Sequence, residues 1–244
     1  MTQHKVWRAV RAHPSGVLLA VQLLGIIVYP FFDGAEQGGG VGPMLLALFG
    51  LAVLVIAVGV SVRTPVMTWL AVLVALPTAV LTVWDGLTGF QQPLHLVSDI
   101  FHALFYLYTF IGLVIYMFSD DLVTLDELLA VGATFTVAVW MFAYVYSICQ
   151  TLLPGSFVAA VNPDEPRTWM ELLFLSTTTM TSTGLSDIVP VNAFARSMVM
   201  LQQIAGMLYL AMVVARIVGL TVNRRNVVEG SAGNGGRVRR RRRQ

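Results

Sequence analysis

The chain has 244 residues, of which 57% are hydrophobic and only 11% charged, and its formal net charge is +2. A soluble domain carries roughly 25% charged residues, so this composition excludes an ordinary soluble protein and predicts an integral membrane protein. The single cysteine, Cys149, excludes a disulfide framework and a cysteine metal cluster.

Apolar runs long enough to cross a bilayer recur along the chain, since a spanning helix needs about 20 mainly apolar residues. They predict an all-α protein with six transmembrane helices, at about 16–32, 43–62, 66–84, 97–118, 125–153 and 191–220. Pro77 should kink the third helix because proline removes a backbone donor. Thr124 and Glu127 fit a capping box that would begin the fifth helix near Leu125, and Pro154 would help to end it.

The predicted organisation has five segments. They are a cytoplasmic N-terminus (1–15), a four-helix peripheral membrane domain (16–118), a cytoplasmic linker (119–127), a helix–short helix–polar loop–helix module (128–220) and a basic disordered tail (221–244). Acidic residues in the linker either concentrate cations or form a solvated loop with helix caps.

Basic residues set the expected orientation of the chain. Lysine and arginine concentrate near both termini, which places both termini in the cytoplasm of a multi-pass plasma- or inner-membrane protein. The arginine-rich tail is expected to touch anionic lipid headgroups or to act only as a topology determinant. No nucleic-acid partner is expected.

A hydroxyl-rich run lies between the last two long helices. A short helix over 167–180, too short to cross a bilayer, leads into Thr181, Ser182, Thr183, Gly184, Leu185, Ser186 and Asp187. Non-helical backbone at membrane depth is tolerated only where it is packed in protein or lines a watery cavity. Carbonyl and hydroxyl oxygens can replace the water shell of potassium, and the C-terminal end of an inward-pointing short helix favours a cation.

One such loop cannot surround an ion, so the pattern implies four identical subunits around one axis. Ser182 to Ser186 would be the coordinating positions. The competing interpretation is a re-entrant or extracellular loop with no role in ion binding.

The pattern Thr-Met-Thr-x-x-Gly-x-x-Asp-Ile-Val-Pro-Val over 179–191, followed by Arg196 and a long helix, resembles the pore domain of potassium channels. More narrowly, the chain resembles small prokaryotic six-helix potassium-channel-like proteins, through its sequences at 123–126, 154–157 and 208–220. The resemblance implies a homotetrameric cation channel, most readily for potassium, with 128–220 as pore domain and 181–187 as selectivity filter. It implies no enzymatic activity and no cofactor beyond the permeant monovalent cation.

The filter departs from the family pattern. Aligned on Asp187, Ser-Thr-Gly-Leu-Ser stands in place of Thr-Val-Gly-Tyr-Gly. Ser186 replaces the second glycine, and positive φ at a non-glycine residue costs on the order of 1–2 kcal/mol. Leu185 replaces the tyrosine, and Leu175 stands where the family often has a bracing tryptophan. Reduced potassium selectivity is expected, and potassium transporters of the Trk/Ktr/HKT type look similar here because they keep one filter glycine per repeat. The resemblance also implies that Asp187 anchors the outer end of the filter to the short helix.

Two further features allow more than one interpretation. Gly206, in the last helix, is either a gating hinge or a site of close helix packing. His95, Asp99 and His102 are spaced i, i+4 and i+7, so they share one face of the fourth helix. They could bind a metal, sense protons, or be interfacial polar residues satisfied by water and lipid headgroups.

Two alternatives to a conducting channel follow from the sequence. The first is a non-conducting or regulatory channel-like subunit. The second is an intramembrane metal-dependent enzyme using His95, Asp99 and His102, for which no second helix supplies a matching catalytic partner.

Voltage sensing through a charged fourth helix is not expected. It requires several charges that move through the membrane field, each worth about 2.3 kcal/mol per 100 mV. The four leading spans contain no interior arginine or lysine, and Arg63 lies at a turn.

Overall fold

The computed structural model describes residues 13–29, 65–88, 94–118, 125–184 and 186–241. The predicted second span at 43–62, most of the predicted linker and Leu185 lie outside the described residues. The described chain forms, in order, α1 (Pro14–Val28), α2 (Pro65–Thr88), α3 (Leu94–Phe118), α4 (Leu125–Leu152), β1 (Phe157–Ala159), α5 (Trp169–Met180), β2 (Ile188–Pro190) and α6 (Ala193–Arg241).

The helices follow the predicted apolar runs closely, and α4 begins at Leu125 as expected. In the described ranges, three helical segments are long and apolar enough to cross a bilayer: Leu94–Phe118, Leu125–Leu152 and Ala193–Gly219. Two shorter apolar helical segments, Pro14–Val28 and Leu73–Trp84, accompany them. These helices fit a helical membrane protein, while the count of six spans remains a prediction.

The last helix is longer than the sequence predicted. It continues to Arg241, so residues 221–241 are helical in the structure and not a disordered tail. Extending an existing helix adds one hydrogen bond for each residue fixed, which is far easier than starting a new helix. Arginine is also a good helix former.

Helix α4 lies against α1, α3, α5 and α6. Its contact with α1 is a reciprocal pair of glycine–leucine contacts. A Cβ atom added to Gly16 would lie 2.8 Å from Leu129 Cδ1, and one added to Gly132 would lie 2.9 Å from Leu19 Cδ2. Small residues let membrane helices approach closely, so α1 packs directly on α4 of the same chain.

Aromatic rings join α3 and α4 to the start of α5. Tyr106 stacks on Tyr144 with ring centroids 5.7 Å apart, and Trp169 meets the edge of Trp140 at 5.0 Å. Tyr144 and Trp169 are also in contact, at 5.6 Å. Each aromatic pair adds to the packing energy of buried rings, so the N-terminal end of α5 is fixed against α4.

A short antiparallel ribbon completes the fold. Phe157 pairs with Pro190, Val158 with Val189 and Ala159 with Ile188. The ribbon ties the turn after α4 to the segment that follows the polar loop. Apart from these two three-residue strands, the described fold is helical, as predicted.

Candidate functional site: the polar loop after α5

The short helix α5 begins at Trp169 because Thr168 caps it. The Thr168 hydroxyl accepts a hydrogen bond from the Glu171 amide at 3.3 Å, and the Glu171 carboxylate accepts one from the Thr168 amide at 2.6 Å. This capping box satisfies two donors that a helix start leaves free. The sequence prediction assigned a capping box only to Thr124 and Glu127 and missed this one, although the Thr-x-x-Glu spacing was visible. Thr124 lies outside the described residues.

The approach to α5 is held by a buried arginine. The Arg167 guanidinium donates to the carbonyl oxygens of Asn162 and Glu165, at 2.5 Å each, and contacts the Glu171 carboxylate at 3.3 Å. The backbone of Arg167 exchanges two hydrogen bonds with the side-chain amide of Gln150 in α4, at 2.7 and 2.9 Å. The connection before α5 is therefore fixed both to itself and to α4.

At the other end of α5 the backbone folds back over the last helical turn. The amides of Ser182, Thr183 and Gly184 donate to carbonyl oxygens of that turn at 3.1, 3.1 and 3.3 Å. In a planar trans peptide the N–H and the preceding C=O point in opposite directions. The carbonyl oxygens of Thr181, Ser182 and Thr183 therefore point away from α5.

Two left-handed residues produce this arrangement. Ser182 has φ +59° and Gly184 has φ +66°. Left-handed residues at alternate positions gather successive N–H groups on one side of the chain. Ser182 follows the C-cap residue Thr181, a position where helices commonly adopt this conformation. The sequence predicted the strained serine at Ser186, whereas the serine found with positive φ is Ser182.

The loop also presents hydroxyl oxygens. The Thr181 hydroxyl donates to the Thr177 carbonyl at 2.8 Å, and its oxygen lies 3.0 Å from the Thr183 hydroxyl oxygen. A hydroxyl has one proton and two lone pairs, so each donating hydroxyl keeps acceptor capacity. Residues 181–184 are all exposed in the single chain. The loop thus offers a row of carbonyl and hydroxyl oxygens on an uncovered surface.

The outer end of the loop differs from the prediction. Asp187 is exposed, and none of the α5 side chains, all of which are described, donates a hydrogen bond to it. The predicted anchor between Asp187 and α5 is therefore not formed in this structure. The physical reason is that Leu175, on the buried face of α5, has no donor. The Ser186 hydroxyl instead accepts a hydrogen bond from the Ile188 amide at 3.1 Å, which leads the chain into β2.

Gly206 is a site of close packing. A Cβ atom placed there would lie 2.6 Å from the Met180 carbonyl oxygen, closer than any real Cβ contact. Met180 is the last residue of α5, directly before the loop. Of the two roles considered for Gly206, the structure supports a close contact between α6 and the base of the loop.

Asp99 faces α4 from α3, and His95 lies beside it on α3. The buried Asp99 carboxylate accepts a hydrogen bond from the Ser147 hydroxyl at 2.5 Å, and His95 Nε2 lies 3.6 Å from the same carboxylate. The interaction crosses between two helices and involves residues 48 positions apart.

His102 points in a different direction. Its Nδ1 lies 2.8 Å from the Ser98 carbonyl oxygen, its Nε2 lies 3.1 Å from the Thr82 hydroxyl, and its ring stacks on Tyr144. Both ring nitrogens are therefore directed at protein oxygens.

Within the described residues, no three His, Cys, Asp or Glu side chains are grouped to hold a metal. In the described structure His95, Asp99 and His102 are therefore not brought together as a metal site. The intramembrane enzyme stays an untested alternative. Proton sensing at His102 remains a hypothesis.

The first turn of α4 carries two acidic residues that are buried, not solvated. The Asp126 carboxylate accepts hydrogen bonds from the Ser15 amide and hydroxyl at 3.3 and 3.2 Å, and from the Tyr116 hydroxyl at 2.8 Å. Glu127 forms an ion pair with Arg216 at 3.8 Å. These two residues therefore tie α1, α3 and α6 to the start of α4 and are not part of a solvated loop.

Comparison with known proteins matches the region that contains this loop. A protein-family model described as an ion channel, Ion_trans_2, matches residues 100–223. The match covers more than half of the 244 residues and includes α3 from Ile100 onward, α4, α5, the polar loop and most of α6. No curated protein and no solved structure matches the chain. The extent of the family match shows that this chain belongs to the Ion_trans_2 family of ion channels.

Proposed function

We propose that four copies of the chain form a potassium-permeable, non-voltage-gated cation channel whose filter is the loop 181–187. The observation that carries the proposal is the direction of the carbonyl groups. The amides of Ser182, Thr183 and Gly184 bond to α5, which turns the carbonyl oxygens of Thr181 to Thr183 outward. The family match supports ion conduction, and this loop provides a row of oxygen ligands for the ion.

Four copies are proposed because one loop can contact an ion from only one side. A dehydrated alkali cation must be surrounded by oxygens that replace its hydration shell. Residues 181–184 are exposed in the single chain, so their oxygens are open to neighbours around a common axis.

The expected permeant ion is a monovalent cation. Neutral carbonyl and hydroxyl oxygens suit potassium, and the C-terminal end of the α5 dipole favours positive charge beside the loop. Discrimination against sodium is expected to be modest, because the described part of α5 gives Asp187 no anchor. The proposed location is the plasma or inner membrane with both termini cytoplasmic, where arginines after residue 220 can meet anionic lipid headgroups.

The test is an ion-flux series with purified protein in liposomes, using potassium, sodium and caesium gradients. Flux above that of protein-free liposomes, largest for potassium or caesium, supports the proposal. A tetramer that gives no flux of any of the three ions would contradict it and would favour a non-conducting subunit. Hydrolysis of a lipid or peptide without flux would favour an enzyme.

Two glycine variants make this test specific for the loop. Gly184 and Gly155 have φ +66° and +77°, and an added Cβ would meet no atom within 4 Å at either position. At both positions, alanine therefore imposes backbone strain of about 1–2 kcal/mol per chain but causes no steric clash. Gly184→Ala should reduce potassium flux at least about tenfold, because four strained loops share one filter. Gly155→Ala, in the turn after α4, should keep flux within about threefold of wild type.

A further inference from the structure

A buried chain of hydrogen bonds connects α4, α6 and α5 behind the loop. The Tyr146 hydroxyl in α4 donates to Gln202 Oε1 in α6. Gln202 Nε2 donates to the Ser176 carbonyl at 2.9 Å and to the Ser176 hydroxyl oxygen at 2.7 Å. The Ser176 hydroxyl in turn donates to the Val139 carbonyl in α4 at 2.7 Å. Tyr146, Gln202 and Ser176 each have 0% exposure, so no water or lipid takes over these bonds.

These partners fix the orientation of the Gln202 amide. Both N–H groups of its nitrogen are used on Ser176, and its oxygen accepts from Tyr146. A rotated amide would point N–H groups at the Tyr146 hydroxyl and an oxygen at the Ser176 carbonyl. A buried polar group without a partner is costly in a protein interior and in a bilayer, so the Gln202 amide has one favourable orientation.

A second contact lies one helical turn further along both helices. Gln202 contacts Ser176, and Gly206, four residues later, meets Met180, four residues after Ser176. Helix α6 therefore contacts α5 at two successive turns, once through hydrogen bonds and once through close packing. These two contacts set both the separation and the axial register of the helices.

The position of the polar loop depends on this register. The loop begins at Thr181, immediately after Met180, and its amides bond to the last turn of α5. At the outer end Asp187 forms no bond to α5, and Leu175 contributes only apolar packing. The inner end of the loop is therefore held by the last turn of α5, and Ser176 and Met180 are the α5 residues that fix this end against α6.

We infer that Gln202, held by Tyr146, is a positioning residue that sets the ion selectivity of the loop by fixing the end of α5. This inference rests on the proposed channel function and deepens it. A shift of α5 along α6 would move the outward carbonyl oxygens of all four copies together. The distances between those oxygens and a bound cation, and hence the preference between potassium and sodium, would change.

The experiment compares permeability ratios of conducting variants in planar bilayers under bi-ionic potassium and sodium conditions. Gln202→Met keeps the length of the side chain and removes its hydrogen bonds. Tyr146→Phe keeps the ring and removes only the hydroxyl. Gln203→Met is the matched control, because Gln203 is the adjacent residue in α6 and is exposed.

Both Gln202→Met and Tyr146→Phe should change the potassium-to-sodium permeability ratio by about threefold or more, the effect expected from losing one interhelical hydrogen bond in a membrane. Gln203→Met should keep the wild-type ratio. A permeability ratio does not depend on how many channels fold, so a merely structural role would lower current without changing it. If Gln202→Met does not assemble, Tyr146→Phe alone decides.

An unchanged ratio in Tyr146→Phe beside a conducting wild type would overturn the positioning role and leave the channel function intact. A wild-type protein without flux would overturn the proposed function and this inference together.

Discussion

At the residue scale, the loop contains a serine whose backbone has a left-handed conformation that glycine adopts more easily. Ser182 has φ +59° at the position that follows the C-cap of α5. Helices very often end with glycine at this position because it has no Cβ to strain. The serine is tolerated because its amide bonds back to the end of α5.

Ser182→Gly is therefore expected to stabilise the protein. The relief of left-handed strain exceeds the extra unfolded-state entropy of glycine, by roughly 0.5–1 kcal/mol per chain. Thermal unfolding in detergent measures the change. Ser197→Gly, inside α6, is the control and should lower the free energy of unfolding by about 0.5–1 kcal/mol. A Ser182→Gly protein that unfolds at a lower temperature than wild type would show that the serine hydroxyl is more important than its strain.

Gly206→Ala is expected to destabilise the contact between α6 and the base of the loop. The new Cβ would lie 2.6 Å from the Met180 carbonyl oxygen, which belongs to rigid helical backbone. Overpacking of this kind costs about 1–3 kcal/mol.

Gly219→Ala in the same helix is the matched control for this prediction. An added Cβ there meets no atom within 4 Å, so the gain in helix propensity should stabilise by up to about 1 kcal/mol. The free energies of unfolding of the two variants should therefore move in opposite directions. Equal stability of the two variants would contradict the close contact at Gly206.

At the element scale, local sequence predicted the helices but not the bonds between them. Helix α4 ends at Leu152, just before Pro154 and Gly155, because proline cannot continue a helix and glycine favours the turn. The signal for the start of α5 is also local in the sequence, because Thr168 and Glu171 are three residues apart. By contrast, Ser147 and Asp99 are 48 positions apart, and Gln202 and Ser176 are 26 apart.

Such long-range pairs leave no periodic pattern in the sequence, because each pair depends on which helix faces meet in three dimensions. The polar face formed by His95, Asp99 and His102 illustrates the limit. Their spacing was read correctly as one helix face, but in the structure Asp99 bonds Ser147 of α4, whereas His102 contacts both Thr82 of α2 and Tyr144 of α4. The loop could be located in the sequence from its hydroxyl-rich composition. The directions of its carbonyl groups could be seen only from the backbone hydrogen bonds of the structure.

The α3–α4 contact gives an element-scale prediction. Ser147→Ala removes the hydroxyl that donates to the buried Asp99 carboxylate at 2.5 Å. Leaving such an acceptor with one donor fewer should cost about 1–3 kcal/mol of stability. Ser197→Ala, whose hydroxyl bonds the Ala193 carbonyl of its own helix, should change stability by no more than about 0.5 kcal/mol.

A double-mutant cycle with Asp99→Asn separates the interaction between Ser147 and Asp99 from the effects of neighbouring groups. The effects of Ser147→Ala and Asp99→Asn on the unfolding temperature should be non-additive, because Ser147→Ala removes this hydrogen bond and Asp99→Asn weakens it by replacing the charged acceptor with an amide oxygen. Strictly additive effects would contradict a direct bond between Ser147 and Asp99.

At the scale of the whole molecule, α1 and α3 are attached to α4 and α6 of the same chain. Asp126 joins α1 and α3 to the start of α4, and Arg216 of α6 pairs with Glu127 while lying 4.9 Å from the centre of the Phe118 ring in α3. The α3 helix contains no lysine or arginine. The described helices before α4 therefore supply no row of gating charges.

The conductance of the reconstituted channel should accordingly depend only weakly on voltage. Each charge that crosses the field contributes about 2.3 kcal/mol per 100 mV, and the described spans supply no basic series to move. Single-channel recording between negative and positive potentials measures the open probability. A steep conductance–voltage relation that requires several gating charges would contradict this expectation.

The central claim is that four copies of the chain bring residues 181–187 to one axis, where their oxygens hold a dehydrated monovalent cation. The most direct measurement is an electron cryomicroscopy reconstruction of the full chain in lipid nanodiscs with potassium. We predict fourfold particles in which the carbonyl oxygens of Thr181 to Thr183 face the axis and ion density lies between them. A single protomer, or an assembly in which residues 182–186 face away from any shared axis, would contradict it.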